Sequence, residues 1–337
     1  MHPKFLALLC SPTTRKDLVL KEETLDSQGN IVTGQLVTAD GLESYPIQNG
    51  VPRFVSQEAY TASFGYEWKE WPRLQFEAEN KGKVMEGFTE NMFKTVTQFT
   101  SEEVQDKFVV EFGCGPGRFL DRVVARGGIA IGLELSQAAD VAYENFAQQQ
   151  DRVCIVQGDI LHPPFKAGVF DHGYTIGVLH HTPDPKEAFQ QLARTVKPGG
   201  KVTCRVYARS GFYAFPSVRI MRFFHRWSER LLGKERTRKI YKAYALFSAN
   251  TAYPALEAVR RIPLLGKYIA SLVERLFIVN VHLPEAHWRM LDVFDASTPF
   301  YASTHTKDEI LGWYQQAGIQ NAHSVKGENT FIGTKTQ

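Results

Sequence analysis

Residues 107–118 read Lys-Phe-Val-Val-Glu-Phe-Gly-Cys-Gly-Pro-Gly-Arg. Phe108 to Phe112 is a short run of β-branched and aromatic residues, the pattern of a strand buried on both faces. Three glycines follow at once, and a helical pattern runs from Arg118 to Ala125. A glycine-rich turn between strand and helix brings backbone N–H groups close to a polar ligand with no Cβ in the way. The dinucleotide fingerprint would be G-x-G-x-x-G. Here the glycines are Gly113, Gly115 and Gly117, with the acid Glu111 just ahead of them. An acid in that position repels a pyrophosphate and suits an ammonium group.

Outward from this turn the same unit repeats. Strand Ala130-Ile-Gly-Leu-Glu134 precedes helix Ala138 to Gln148, and strand Val153 to Gln157 follows. Strand Val169 to Thr175 precedes helix Pro185 to Val196, and Lys197-Pro-Gly-Gly turns into strand Lys201 to Tyr207. Alternating strands and helices predict an α/β, doubly wound, Rossmann-like parallel sheet. Glu134 ends the second strand, where a carboxylate can accept both hydroxyls of a ribose. Asp159 follows the third strand and can accept from an adenine amino group, with Ile160 packing on the base. Three acids at successive strand ends are expected to line one crevice.

The stretch from Val109 to Lys201 closely resembles class I S-adenosylmethionine-dependent methyltransferases of the type 11 kind. The resemblance is carried by Glu111-Phe-Gly113-Cys-Gly115-Pro-Gly117, Gly132-Leu-Glu134-Leu135-Ser136, Gly158-Asp159-Ile160, Gly177-Val178-Leu-His180-His181 and Lys197-Pro-Gly-Gly. It implies seven strands with the last antiparallel, and S-adenosyl-L-methionine as cofactor with S-adenosyl-L-homocysteine as product. Glu111, Gly113, Cys114, Gly115 and Gly117 would hold the methionine end. Glu134 and Leu135 would meet the ribose, Asp159 and Ile160 the adenine. Gly177 and Val178 would lie beside the methionine portion, and His180 or His181 is the candidate catalytic base. Phe64-Gly-Tyr66-Glu-Trp68 resembles an aromatic element of bacterial methyltransferases that tailor small molecules and glycans, so Tyr66 and Trp68 are expected over the donor.

The whole chain fits this frame. Its 337 residues are 43% hydrophobic and 22% charged, which excludes disorder, collagen-like repeats and coiled coil. Five zones are expected: a β module at 1–56, an aromatic and helical lead-in at 57–105, the cofactor-binding core at 106–207, a basic helical lid at 208–300, and the end of the core at 301–337. Residues 1–56 resemble a zinc-ribbon module in Leu6 to Pro12 and Tyr45 to Phe54, but only Cys10 of the two CxxC knuckles is present. No metal ligand set stands out. Four scattered cysteines suit a reducing compartment. The short apolar run Phe5 to Cys10 is no signal-peptide core, so a cytoplasmic location is expected.

Residues 211–290 hold 14 Lys/Arg against 5 Asp/Glu, a net of +9 in a chain whose total is +3. From Ser217 to Leu232, Ile220, Phe224, Trp227 and Leu231 fall at helical spacing, with Arg219, Arg222, Arg226 and Arg230 on another face. Three readings compete: a solvated cover, a lid gripping an anionic acceptor through Arg222 and Arg226, and a membrane-surface or nucleic-acid patch. Tyr207, Tyr301 and His305 flank the insertion and are candidate acceptor-binding residues. The favoured activity is methyl transfer to a small-molecule or glycan or lipid-linked acceptor at oxygen, with no nucleic acid as partner and peripheral membrane contact through the basic helix as a further possibility. The alternatives are an RNA or protein methyltransferase and a non-catalytic partner subunit; the Asn/Asp-Pro-Pro-aromatic motif of exocyclic-amine methylases is absent. A single thiolate cannot hold a structural zinc. Metal analysis of protein purified without chelator is therefore expected to give far less than stoichiometric zinc; stoichiometric zinc that disappears in Cys10→Ser would refute this.

Overall fold

The computed structural model describes residues 1–55, 62–210, 213, 215–277, 283–325 and 329–336. The expected boundary at 56–57 lies outside them. At the centre is a seven-stranded sheet made of β5 (Phe108–Phe112), β6 (Ile129–Glu134), β7 (Val153–Gln157), β8 (His172–Ile176), β9 (Lys201–Arg205), β10 (Ile319–Ser324) and β11 (Thr330–Lys335). The strand order is β10-β11-β9-β8-β5-β6-β7. Strands β5 to β9 run parallel, and β11 runs antiparallel to both β9 and β10. The order reverses at β5, which pairs with β6 on one side and β8 on the other. Open α/β sheets bind ligands outside the carboxyl ends of the strands at such a point.

Ahead of the sheet, β1 (Leu18–Leu25), β2 (Ile31–Thr38), β3 (Ser44–Gln48) and β4 (Val51–Pro52) form a separate antiparallel sheet. Its inward residues Ile31, Leu36 and Ile47, with Phe5 and Leu8 of the preceding 3-10 turn (Pro3–Leu8), share one core with Val110, Phe112 and Phe165 of the large domain. Backbone bonds join the two, from Cys10 N–H to Pro164 O and from Phe54 N–H to Gln157 O. In the knuckle-like turn after Cys10, the Ser11 hydroxyl accepts from the N–H groups of Thr13 and Thr14 at 3.1 and 3.0 Å. Hydroxyl and hydrophobic contact hold this turn. All four thiols are buried, and burial pushes Cys154 and Cys204 up to about 12.

The lead-in consists of α1 (Ala62–Glu70), α2 (Glu77–Asn80), α3 (Phe88–Thr97) and α4 (Ser101–Val104). Helices α5 (Arg118–Val124), α6 (Ala138–Asn145) and α7 (Pro185–Thr195) cover the parallel strands. The insertion contains α8 (Pro216–Leu232), α9 (Lys234–Phe247), α10 (Tyr253–Arg260), α11 (Gly266–Leu276) and α12 (Ala286–Ser297) before α13 (Lys307–Gln316) returns to the sheet. Within it, α12 supplies Met290, Leu291, Val293 and Phe294 to a local core with Val218, Tyr241 and Trp71. Buried Arg289 ties its strands of chain together, donating to the carbonyls of Ala249, Leu283 and Pro284.

Helix α8 overturns an expectation. Its inward face carries Val218, Arg222 and His225, and its apolar stripe Ile220, Phe223, Phe224, Trp227 and Leu231 faces out. Arg222 is buried, and its Nε donates to Ala296 O at 2.9 Å. Arg226 reaches only toward Phe300 O at 3.5 Å. Arg222 is thus drawn inward against the end of α12, with no hydrogen-bond partner for its Nη2 among the described residues, while Arg226 stays half-buried; neither is among the cavity-lining residues.

The small sheet is fitted tightly to α6. Gly50 has φ +75°, and a Cβ there would lie 2.2 Å from the Tyr143 hydroxyl oxygen. Gly50→Ala should lower stability by about 1–2 kcal/mol for the left-handed backbone and about 1–3 kcal/mol more for the overlap. Adding Tyr143→Ala should remove the second part only, so chemical denaturation of the double variant should show it more stable than the sum of the two single losses.

Candidate active site

The glycine turn lies between β5 and α5, with φ +76° at Gly113, +52° at Gly115 and +94° at Gly117. These are conformations that L side chains rarely adopt. The space is also taken: a Cβ on Gly113 would meet Val178 at 2.4 Å, and one on Gly115 would meet Trp68 Nε1 at 3.1 Å. The turn is pinned to the end of β6. Gly113 N–H donates to Leu133 O at 2.7 Å, and Gly115 N–H donates to Glu134 Oε2 at 3.0 Å. The other carboxylate oxygen of Glu134 accepts from Ser136 N–H at 2.9 Å.

A cavity of about 790 Å³ opens beside this turn. That is in the upper part of the roughly 300–1,000 Å³ range of small-molecule sites. Lining it are Glu111, Gly113, Cys114, Gly115, Glu134 and Leu135, then Ile160, Gly177 and Val178. Gly177 has φ +77°, and nothing stands within 4 Å of where its Cβ would be. Glu111 accepts from the Tyr174 hydroxyl at 3.1 Å. Burial raises its pKa, and Arg118, which also lines the cavity, opposes that rise. A carboxyl group and a guanidinium side by side complement the ammonium and carboxylate of an amino acid, and Glu134 complements a diol. These residues fit S-adenosylmethionine.

Two expected donor contacts differ. Asp159 stands just after β7, but its Oδ1 accepts from Leu161 N–H at 2.9 Å and it does not line the cavity. Its carboxylate closes the local turn instead. Of the aromatic pair on α1, Trp68 lines the cavity. Tyr66 packs on Phe294 with ring centroids 6.0 Å apart and lies under Arg238, so it belongs to the core of the insertion. The helical turn explains the split: positions two apart on a helix cannot share a face.

The cavity is also lined by His180, His181, Tyr207 and Tyr213, together with Glu67, Asp292 and Asp295. His180 Nδ1 accepts from Tyr207 N–H at 3.2 Å, so in the neutral ring Nε2 carries the proton. His181 has the opposite tautomer. Its Nδ1 donates to Tyr301 O at 2.9 Å, which leaves Nε2 as the basic nitrogen. Burial lowers His180 well below the ordinary histidine value and His181 to about 3, so both are neutral at pH 7. The His180 ring stacks on Tyr207, and Tyr207 on Tyr213, with centroids 3.5 Å apart in each pair. Of the other candidate acceptor residues, Tyr301 contributes its carbonyl to His181, and His305 packs on Trp313 and bonds Ser303; neither lines the cavity.

Several cavity residues escaped the sequence reading. Glu67 is fully buried, neither of its oxygens has a hydrogen-bond partner among the described residues, and burial followed by Asp295 pushes its pKa well up. Burial raises Asp295 to about 6. Trp288, Leu291, Asp292 and Asp295 lie at 3–4 residue spacing on α12 and form one face toward the cavity. That spacing was the available signal, hidden by the expectation that the insertion presents bases. Among the described residues, no group of three or more His, Cys, Asp or Glu is arranged to hold a metal.

Comparison with known proteins agrees with this geometry. Residues 110–204 match the family model for a methyltransferase domain. The chain is 32% identical over 100 residues to a ubiquinone biosynthesis O-methyltransferase of Coxiella burnetii (strain Dugway 5J108-111), covering 29% of this chain and 43% of that one. It is 29% identical over 154 residues to a demethylmenaquinone methyltransferase of Shouchella clausii (strain KSM-K16), covering 44% and 64%. The chain thus spans less than two thirds of the length of these relatives. A solved structure of a geranyl diphosphate C-methyltransferase from Streptomyces coelicolor A3(2) aligns with TM-score 0.32 at 20% identity, over 36% of this chain and 45% of that one. With the strand order, the glycine turn and the family match in agreement, residues 110–204 are a class I S-adenosylmethionine-dependent methyltransferase domain.

Proposed function

We propose that this chain methylates an oxygen of a small-molecule acceptor, with His181 as general base. One observation carries the reading. A single cavity joins the glycine turn and Glu134 to a buried histidine whose tautomer is fixed with Nε2 basic. S-adenosylmethionine, when bound, supplies an activated methyl group on a sulfonium. Glu134 and Leu135 would hold its ribose, and Glu111 and Arg118 its amino-acid end. His181 Nε2, too weak a base to ionise the acceptor hydroxyl beforehand, takes its proton as methyl transfer builds positive charge on that oxygen. Among the described residues the His180 Nε2 proton has no partner, and His180 is a cavity-lining residue, so this N–H is a candidate to orient the acceptor oxygen. Burial shifts the Glu67 carboxyl toward its protonated form, which would make it a second donor lining the same cavity. His180, Tyr207 and Tyr213 form one stack that lines the cavity, which suits an acceptor with an aromatic or apolar part. The walls exclude water so that methyl and acceptor meet in line.

The names of the quinone-methylating relatives favour an oxygen or ring acceptor over RNA or protein. With labelled donor, transfer into the small-molecule fraction of a cell extract is expected; label entering only RNA or protein would overturn the acceptor class.

Glu134→Ala is expected to weaken donor binding about 10- to 150-fold in calorimetry, the equivalent of losing charge-assisted bonds of roughly 1.5–3 kcal/mol. Unchanged affinity in the folded variant would remove Glu134 from the site.

His181→Asn keeps a polar side chain but lacks the basic nitrogen. It should lower kcat by about 10²- to 10⁴-fold with donor affinity unchanged. Normal turnover would assign the proton to water or to another group.

A further inference from the structure

The insertion is apolar on the outside. Among the described residues, 22 large apolar side chains are exposed, and 18 of them lie between Ile220 and Phe300. Leu264 is 92% exposed, Tyr268 77% and Trp227 53%. Isolated exposed apolar residues are ordinary, but a concentrated patch marks a surface that meets something.

Two helices define the patch. The stripe on α8 has helical spacing from Ile220 to Leu231 and points away from the protein, opposite buried Val218, Arg222 and His225. On α11, Tyr268, Ile269 and Leu272 point outward. The two helices are in contact with one another, so their apolar faces adjoin. Exposed cations rim them: Arg219, Arg230, Lys234, Arg236, Arg261 and Lys267.

We propose that this face docks on an anionic lipid bilayer, with α8 and α11 lying in the interface. The charge selects the occupant. Residues 211–290 carry +9, so two copies of this face would repel one another, whereas an anionic bilayer attracts it. Aromatic and aliphatic side chains interleaved with Lys and Arg are the composition of a helix that lies in the headgroup region. Among the described residues no helix is long and apolar enough to cross a bilayer, so the contact is with one leaflet.

The docking helix is also a wall of the active-site cavity. Ser271, Glu274 and Arg275 of α11 line the cavity, while Tyr268 and Leu272 face the proposed bilayer. Tyr268, Ser271, Leu272 and Arg275 follow i, i+3, i+4, i+7 spacing, so on the methyl-transfer reading an acceptor dissolved in the membrane would meet the cavity directly beside the docking face. The docking itself does not depend on that reading.

The test uses the full chain and sedimentation with vesicles of phosphatidylcholine, alone or with phosphatidylglycerol. Binding to the anionic vesicles is expected to be at least about tenfold tighter than to phosphatidylcholine alone and to weaken as salt is added. Trp227 fluorescence should shift to the blue on binding. The double variant Trp227→Ser, Leu272→Ser alters only exposed side chains, so its melting temperature and its donor affinity should stay at the wild-type values while vesicle binding falls about tenfold or more. Failure of the wild type to sediment with anionic vesicles would overturn the proposal, as would equal binding by the variant. Light scattering that reveals a dimer dissolved by the same substitutions, without vesicle binding, would assign the face to a second copy instead. Loss of donor binding in the wild type would count against the methyl-transfer reading and leave the docking result standing.

Discussion

One carboxylate fixes the geometry on which the site depends. Glu134 is buried at the end of β6 and satisfies two backbone N–H groups, one in the glycine turn and one at the approach to α6. A buried carboxylate without such donors would be costly; with them it ties strand, turn and helix into a unit. The turn in turn sets the position of everything above it. Val178 sits against Gly113, where a Cβ would overlap it at 2.4 Å, and Trp68 sits against Gly115, where a Cβ would lie 3.1 Å from its Nε1. Helix α1 is seated by Gly65 against Gln137, where a Cβ would be 3.4 Å away, and Lys69 bonds the Gln137 side chain. Glu67 and Trp68 therefore reach the cavity because the glycine turn leaves room for them.

The sheet was legible because its signals are local and mutually consistent. The run Phe108 to Phe112, the glycines behind it, and the repeats through Arg205 each specify one strand and one crossover, and right-handed crossovers leave few topologies. Of the residues named for the donor end, Glu111, Gly113 to Gly115 of the glycine turn, Glu134, Leu135, Ile160, Gly177 and Val178 line the cavity, since they sit at strand ends. Asp159 shows the limit: its position follows from the strand, but its rotamer follows from a bond to Leu161 N–H that sequence spacing does not reveal. Tyr66 and Trp68 were grouped as one motif, and the helix sends them to different cores.

The insertion was legible in composition and misread in orientation. Amphipathic spacing shows that α8 has two faces without showing which one meets the protein. The usual choice buries the apolar face, and here the inward face holds Arg222 and His225. Arg222 can be accommodated because Ala296 offers it a carbonyl and Tyr207 a ring face 5.9 Å away. The acids of α12 were overlooked for the same reason. Asp292 and Asp295 are two of a minority of acids near a basic segment, yet they are the ones turned toward the cavity. Net charge describes the outside of a domain and says little about the charges it encloses.

The four cysteines have a practical consequence. Cys10, Cys114, Cys154 and Cys204 are all buried, and burial holds each thiol in its protonated form at neutral pH. Since the thiolate is the reactive species, maleimides and iodoacetamides should leave the native chain unlabelled for as long as it stays folded. A single thiol placed on the outer surface would then carry a spectroscopic label alone, without first removing the native cysteines. The same property makes thiol labelling a built-in clock for opening of the core: alkylation of the wild-type chain would report the rate at which its sheet becomes exposed.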